Sequence, residues 1–166
     1  IGGNHDVILQ TTPRIFQGLP DFVFTYLCDS GTEFEGLKIW GSPWTRSFYG
    51  MNPHCKAFCL ETESQLSEKF ALIPEGTDIL VTHSPPYGIR DMSRNRRVGS
   101  VARRDQLKRI RPKLHVFGHI HGGYGMERPS LDIGTGSPLP GYPIFVNASH
   151  LDENYEPSNK PIRVVL

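Results

Sequence analysis

The apolar positions of the chain fall into short runs punctuated by glycine and proline, with neither long heptads nor a membrane-length stretch. Residues 22–27 and 37–40 are apolar and β-rich. Pro20-Asp21 and Asp29-Ser30-Gly31 bound the first run, and Gly36 and Gly41-Ser42-Pro43 bound the second. They predict two short strands, antiparallel neighbours across the intervening turn. Residues 44–59 mix Trp44, Phe48, Tyr49 and Phe58 with Gly50 and Pro53, the composition of an ordered loop. A helix is expected next. Thr62 can cap it, Gln65 can reach back as in a capping box, and Leu66, Phe70 and Ile73 repeat at helical spacing before Pro74 and Gly76 end the pattern.

Ile79-Leu80-Val81 has the look of a strand buried on both faces, and it delivers Thr82-His83-Ser84-Pro85-Pro86, where the prolines forbid continuation. Leu107, Ile110 and Leu114 give residues 100–111 an apolar helical stripe. A further buried strand over 114–117 delivers Gly118-His119-Ile120-His121-Gly122-Gly123, and residues 143–147 and 162–166 predict two more strands. Helix alternating with strand, and chemistry placed at strand ends, indicate an α/β fold.

Length and charge narrow the picture. At 166 residues the chain suits one domain. Eighteen basic residues against 17 acidic ones leave a net charge of +1, so no global field points to nucleic acid or a membrane surface. No run is long enough to span a bilayer. The cysteines Cys28, Cys55 and Cys59 lack the spacing of a zinc motif and read as reduced thiols, which suggests a cytoplasmic protein. The first residue is Ile1, with no strand before Gly2-Gly3-Asn4-His5-Asp6, so a preceding segment is expected. Residues 90–113 are strongly basic. They read either as a solvated helix face, partly balanced by Asp91 and Asp105, or as a cationic wall that draws a phosphate toward the site. A nucleic-acid groove is not expected, because no interleaved aromatic stripe accompanies the charge.

Three segments share one design, an apolar strand stopping at a turn that bears metal-capable side chains: Gly3-Asn4-His5-Asp6, Thr82-His83-Ser84 and Gly118-His119-Ile120-His121. Neutral imidazoles and an amide oxygen suit borderline divalent ions. His115, within a strand, reads as structural, and His150 as a surface residue. His54 beside Cys55 and Cys59 is not expected to form a zinc site. Asn147 at a strand end is either a pocket residue or a structural cap.

In this order, the three segments resemble the calcineurin-like metallophosphoesterase superfamily. Thr82-His83-Ser84-Pro85-Pro86 and residues 112–121 with Gly123-Tyr124-Gly125 resemble, more narrowly, its metallophosphoesterase-domain-containing group. The resemblance runs from Ile1 to about Ser149. It implies an αββα sandwich of two packed sheets, lacking its first strands, with residues 1–166 the C-terminal part of a single domain. It also implies roles: Asn4, His83 and His119 as ligands of one metal, His121 as a ligand of the other, and His5 as the acid that contacts the phosphoryl group and protonates the leaving oxygen, oriented by Asp6. Asn4 and His5 would then also bind substrate. In such a centre two ions neutralise phosphate oxygens and a bridging hydroxide attacks in line.

The family also uses an upstream Asp-x-His and a Gly-Asp-x-x-Asp that supplies the carboxylate bridging the ions, and neither pattern occurs in this chain. The intact protein is therefore expected to hold two divalent ions (Mn, Fe or Zn) and this chain at most one, with a further segment or partner chain supplying the rest. Gly122 stands where an acidic residue is often expected. The implied substrate is a phosphate ester, more specifically a diester such as a cyclic nucleotide. The alternative is a degenerate protein that binds nucleotide or phosphate without turnover, and an interaction module comes third.

Overall fold

The computed structural model describes residues 1–12, 14–16, 24–48, 50–129 and 141–166. Its elements, in chain order, are α1 (Val7–Thr11), β1 (Ser30–Phe34), β2 (Leu37–Ser42), β3 (Thr45–Arg46), β4 (Cys59–Leu60), α2 (Glu63–Ala71), β5 (Ile79–Thr82), β6 (Met92–Ser93), β7 (Arg96–Arg97), α3 (Val101–Ile110), β8 (Leu114–Phe117), β9 (Gly125–Glu127) and β10 (Ile144–Asn147). The main sheet has six strands in the order β1-β2-β5-β8-β10-β9, with β3-β4 and β6-β7 as separate two-stranded ribbons. Strands β2, β5, β8 and β10 run parallel, while β1 and β9 close the two edges antiparallel. The α/β class read from the sequence is the class of the fold.

Two crossovers carry helices. α2 lies between β2 and β5 in the chain, and α3 between β5 and β8. α2 begins with the capping box expected of Thr62 and Gln65, both reciprocal bonds being present. α3 starts at Ser100 and ends at Arg111, whose φ of +48° stops the helix just before Pro112. The helices are joined by more than apolar packing. Glu63 of α2 accepts from Ser100 Oγ (2.9 Å) and the Ala102 N–H (2.8 Å), satisfying the open end of α3. Arg109 of α3 donates to the Ile73 carbonyl (2.8 Å) beyond the end of α2.

The strand alternation sorts the core into two faces. Leu80, Phe117 and Phe145 pack with Leu66, Phe70, Leu107 and Ile110 beneath the helices. Leu114, Ile144 and Val146 face the other way, packed against by Ile79, Val116, Ile162 and Val164. Polar residues on the helix-facing side are buried and bonded. Thr82 Oγ1 donates to the Ser84 carbonyl (2.9 Å) and lies 2.8 Å from His115 Nε2. Arg103 is 1 % exposed and donates to Ser84 Oγ (3.1 Å), Pro85 O (2.8 Å) and Trp44 O (2.8 Å), with its guanidinium over the Phe70 ring.

Three expectations need correction. The strand expected over 22–27 is absent from its described residues 24–27, and residues 22 and 23 lie outside them. The partner of β2 is instead Ser30–Phe34, because Glu35 and Gly36 both take positive φ and close a two-residue hairpin, which fixes the register. Residues 162–166 form no strand, although Ile162 and Val164 contribute to the core. The basic run is not a uniform solvated face: Arg103 is core, Arg109 caps a helix, and Arg97 pairs with the fully buried Asp91 at 2.9 Å. The loop over 44–59 contains β3 and the start of β4. No helix among the described residues is long and apolar enough to cross a membrane.

Replacing Arg103 with Met should leave three buried acceptors without their donor and cost about 2–4 kcal/mol of stability. Urea unfolding measures this, and a loss under about 1 kcal/mol would contradict the role. Burial holds the His115 imidazole well below its ordinary range, so the folded chain takes up that proton far less readily than the unfolded one. Its contribution is therefore intact above about pH 6.5 and is lost progressively as pH falls below that value. Urea midpoints at pH 7 and pH 5 should differ less in His115→Asn than in the parent chain.

Candidate metal and phosphate site

The parallel strands deliver their C-terminal ends to one rim, and the three chemical segments meet there. β5 ends in His83 and β8 in Gly118-His119, with the Gly118 N–H donating to the His83 carbonyl (3.0 Å). The N-terminal turn docks against them. Gly3 passes so close that a Cβ there would lie 2.5 Å from the His83 ring, so no other residue fits without moving the imidazole. Asn4 Oδ1 lies 2.8 Å from His83 Nε2, and Asn4 Nδ2 donates to the Cys55 carbonyl (3.0 Å), which turns the amide oxygen toward the histidine.

His119 has a φ of +68°, uncommon for a residue with a side chain. The Ile120 N–H donates to the Gly118 carbonyl (2.8 Å) around it, the pattern of a γ-turn, which carries strain. That turn sets the His119 ring 4.6 Å from the His83 ring, centroid to centroid. His83 is pushed down to about 3, first by burial and then by His119, Arg103 and His5. His119 is pushed down to about 4, again by burial first, then by Arg103, His121 and His5. Both rings are neutral near pH 7 and keep a lone pair for a cation.

His121 is fixed from behind. Its Nδ1 sits 2.8 Å from the Asp152 carbonyl, which makes Nδ1 the protonated nitrogen and leaves Nε2 as the free donor. The Asp152 carboxylate builds the turn that offers this carbonyl, accepting the Asn154 and Glu156 N–H groups (2.8 and 3.0 Å) and Ser158 Oγ (3.1 Å). A Cβ on Gly122 would lie 2.7 Å from Glu153 Oε1, so the space where a side chain at 122 would begin holds a carboxylate from elsewhere in the chain.

Asn4, His5, His83, His119 and His121 all line one cavity of about 490 Å³, together with Asn52, Cys55, Ser149, His150, Phe48, Met51, Leu151 and Tyr155. Asn4, His83 and His119 converge at its floor. His5 is exposed, and no hydrogen bond to its ring occurs among the described residues. Asp6 does not orient that ring through a hydrogen bond; its carboxylate accepts the Gly3 N–H (2.7 Å) and closes the turn. Among the described residues no group of three or more His, Cys, Asp and Glu side chains is placed to hold a metal ion, so His121 does not complete a three-histidine set. The amide oxygen of Asn4 and the His83 imidazole are donor types that suit one borderline divalent ion, and they lie 2.8 Å apart, at hydrogen-bond distance.

Asn147 resolves as a structural tie and not a cavity residue. It is fully buried, donating to the Ile120 (2.8 Å) and Arg90 (3.2 Å) carbonyls and accepting from Ser149. His150, read as a surface residue, is exposed but stands on the cavity wall. Its signal was available, since it follows the end of β10 as His83 follows β5. Arg103 and Asp152 were missed, the first because it sits in a basic run and the second because a turn-building aspartate has no distinctive spacing. Cys28, Cys55 and Cys59 are free thiols.

Comparison with known proteins identifies the family. The family model described as calcineurin-like phosphoesterase matches residues 1–123. The chain is 42 % identical over 144 residues to metallophosphoesterase domain-containing protein 1 of Homo sapiens, spanning 85 % of this chain and 39 % of that protein. It is 39 % identical over 139 residues to a UPF0046 protein of Caenorhabditis elegans, spanning 82 % of this chain and 31 % of that one. The chain thus spans well under half the length of these relatives. One solved crystal structure, 17 % identical, shares the fold with a TM-score of 0.58 over 90 % of this chain and 56 % of its own. With its strand-end histidines and Gly-Asn-His-Asp turn inside the matched region, the chain belongs to the calcineurin-like phosphoesterase family.

Proposed function

We propose that this chain supplies the histidine side of a metal-dependent phosphoester-hydrolysing centre. The observation that carries the reading is the cavity wall. Five histidines and two asparagines line it, and no carboxylate does among the described residues. Such a wall is neutral to cationic, and it suits a phosphoryl group, which brings its own negative charge.

Each residue then has a task. Asn4, His83 and His119 would hold a divalent ion, which when bound supplies a Lewis acid to a phosphate oxygen. The Asp152 carbonyl holds the proton on His121 Nδ1 and leaves the Nε2 lone pair for a second cation. His5, unattached at the tip of the N-terminal turn, donates the proton to the leaving alkoxide. The family likeness favours a phosphate ester, and within that class a diester such as a cyclic nucleotide. A dinuclear centre (Mn, Fe or Zn) needs a bridging carboxylate, and none of the described residues brings one to the cavity. A further segment or a partner chain would supply it, and the chain alone would turn over weakly. The same lack of a carboxylate favours the second reading, a protein that binds nucleotide or phosphate without hydrolysing it. A cytoplasmic location fits the free thiols.

After Mn²⁺ or Zn²⁺ loading and desalting, elemental analysis should find no more than one ion per chain, and His119→Ala should reduce it further. Two retained ions would overturn the single-ion donor set. His121→Ala should abolish hydrolysis of a diester. Nucleotide affinity that survives this substitution, in a parent chain that never turns over, would establish the binder instead. His5→Ala should lower kcat by about 10²–10⁴ for alkyl leaving groups and far less for p-nitrophenolate, which departs without a proton. Equal losses on both would remove His5 as the acid.

A further inference from the structure

Two aromatic side chains stand at the mouth of the histidine cavity without the burial that normally accompanies them. Phe48 is 60 % exposed and Tyr155 is 74 % exposed, and both line the cavity that holds Asn4, His83 and His119. They arrive from opposite sides of the sheet. Phe48 follows β3 in the segment leaving β2, Tyr155 lies beyond β10, and β5 and β8, which carry the histidines, run between.

Both rings sit on held backbone. Ser47, beside Phe48, donates its N–H to the Leu60 carbonyl (2.9 Å) and its hydroxyl to Glu61 (2.7 Å). Tyr155 takes a φ of +65° in the turn closed by its N–H on the Asp152 carbonyl (3.0 Å), and its ring meets the edge of His121 at 5.1 Å. Asn159 anchors the same loop by donating to the Ser149 and Leu151 carbonyls (2.9 and 3.1 Å). Phe48 makes no ring contact among the described residues. Large apolar faces presented to water on fixed backbone mark a binding surface. Beside a polar, phosphate-suited floor, they suit a ligand with an anionic end and a flat apolar end.

We propose that Phe48 and Tyr155 form a stacking rim that selects phosphate esters whose alcohol carries a planar ring, an aryl group or a nucleobase, over plain alkyl esters. This rests on the phosphoester reading, since the phosphoryl group must sit on the histidine floor for a ring to reach the rim. Stacking on an aromatic face tolerates different rings, so the rim would grade substrates by flatness and not by a hydrogen-bond pattern.

The test is calorimetric binding to the full chain loaded with Mn²⁺, comparing 1-naphthyl phosphate with methyl phosphate. Naphthyl phosphate should bind more tightly. Phe48→Ala and Tyr155→Ala should each weaken it by about tenfold while leaving methyl phosphate unchanged, and Tyr155→Phe should bind as the parent does. Losses that fall equally on both ligands would mean that the rings merely support the histidines, and would overturn the rim. Equal affinity of the parent chain for both ligands would also overturn it, leaving the phosphoester reading intact. Binding of neither ligand would defeat both readings together.

Discussion

The guanidinium of Arg103 is the interaction on which the site rests. It is buried under the turn that carries His83, and its three hydrogen bonds go to three separate acceptors on the segments at Trp44 and at Ser84-Pro85. A cation in the core is tolerated because its donors are largely matched and because the Phe70 ring face lies against it. The same charge opposes protonation of His83 and His119 above it. One residue thus fixes the shape of the rim and helps to keep its imidazoles in the form that can ligate a cation.

Much of this was legible in the sequence, for a stated reason in each case. The capping box at Thr62 and the apolar repeat after it are local signals, and α2 follows them. Ile79-Leu80-Val81 is an uninterrupted apolar run and residues 114–117 are apolar but for His115, and the parallel strands there pack on both faces. What failed was register at the sheet edge. The apolar stretch over 22–27 looked more like a strand than Ser30–Phe34 does, but the Glu35-Gly36 turn overrode that preference. Arg103 was illegible because a core arginine and a solvated one look alike within a run of basic residues. His121 was recognisable as a motif histidine, whereas its support from Asp152 is a backbone carbonyl, which leaves no trace in side-chain spacing.

The chemistry of the cavity is one-sided. Neutral donors line the floor, and the acidic patterns that would bridge two ions are absent from the sequence. Glu153 occupies the space in front of Gly122, so an acidic group stands close to His121 although the position itself has no side chain.

The contact between Asn4 and His83 has a further consequence. The two residues are 79 positions apart, and both stand at the same corner of the histidine cavity. Closing a loop of that length costs chain entropy, which the contacts at its two ends must offset. The corner is therefore a long-range feature, absent from any fragment that lacks either the N-terminal turn or the end of β5. A cation held there would tie the N-terminal turn to the sheet and so stabilise the folded chain against the unfolded one.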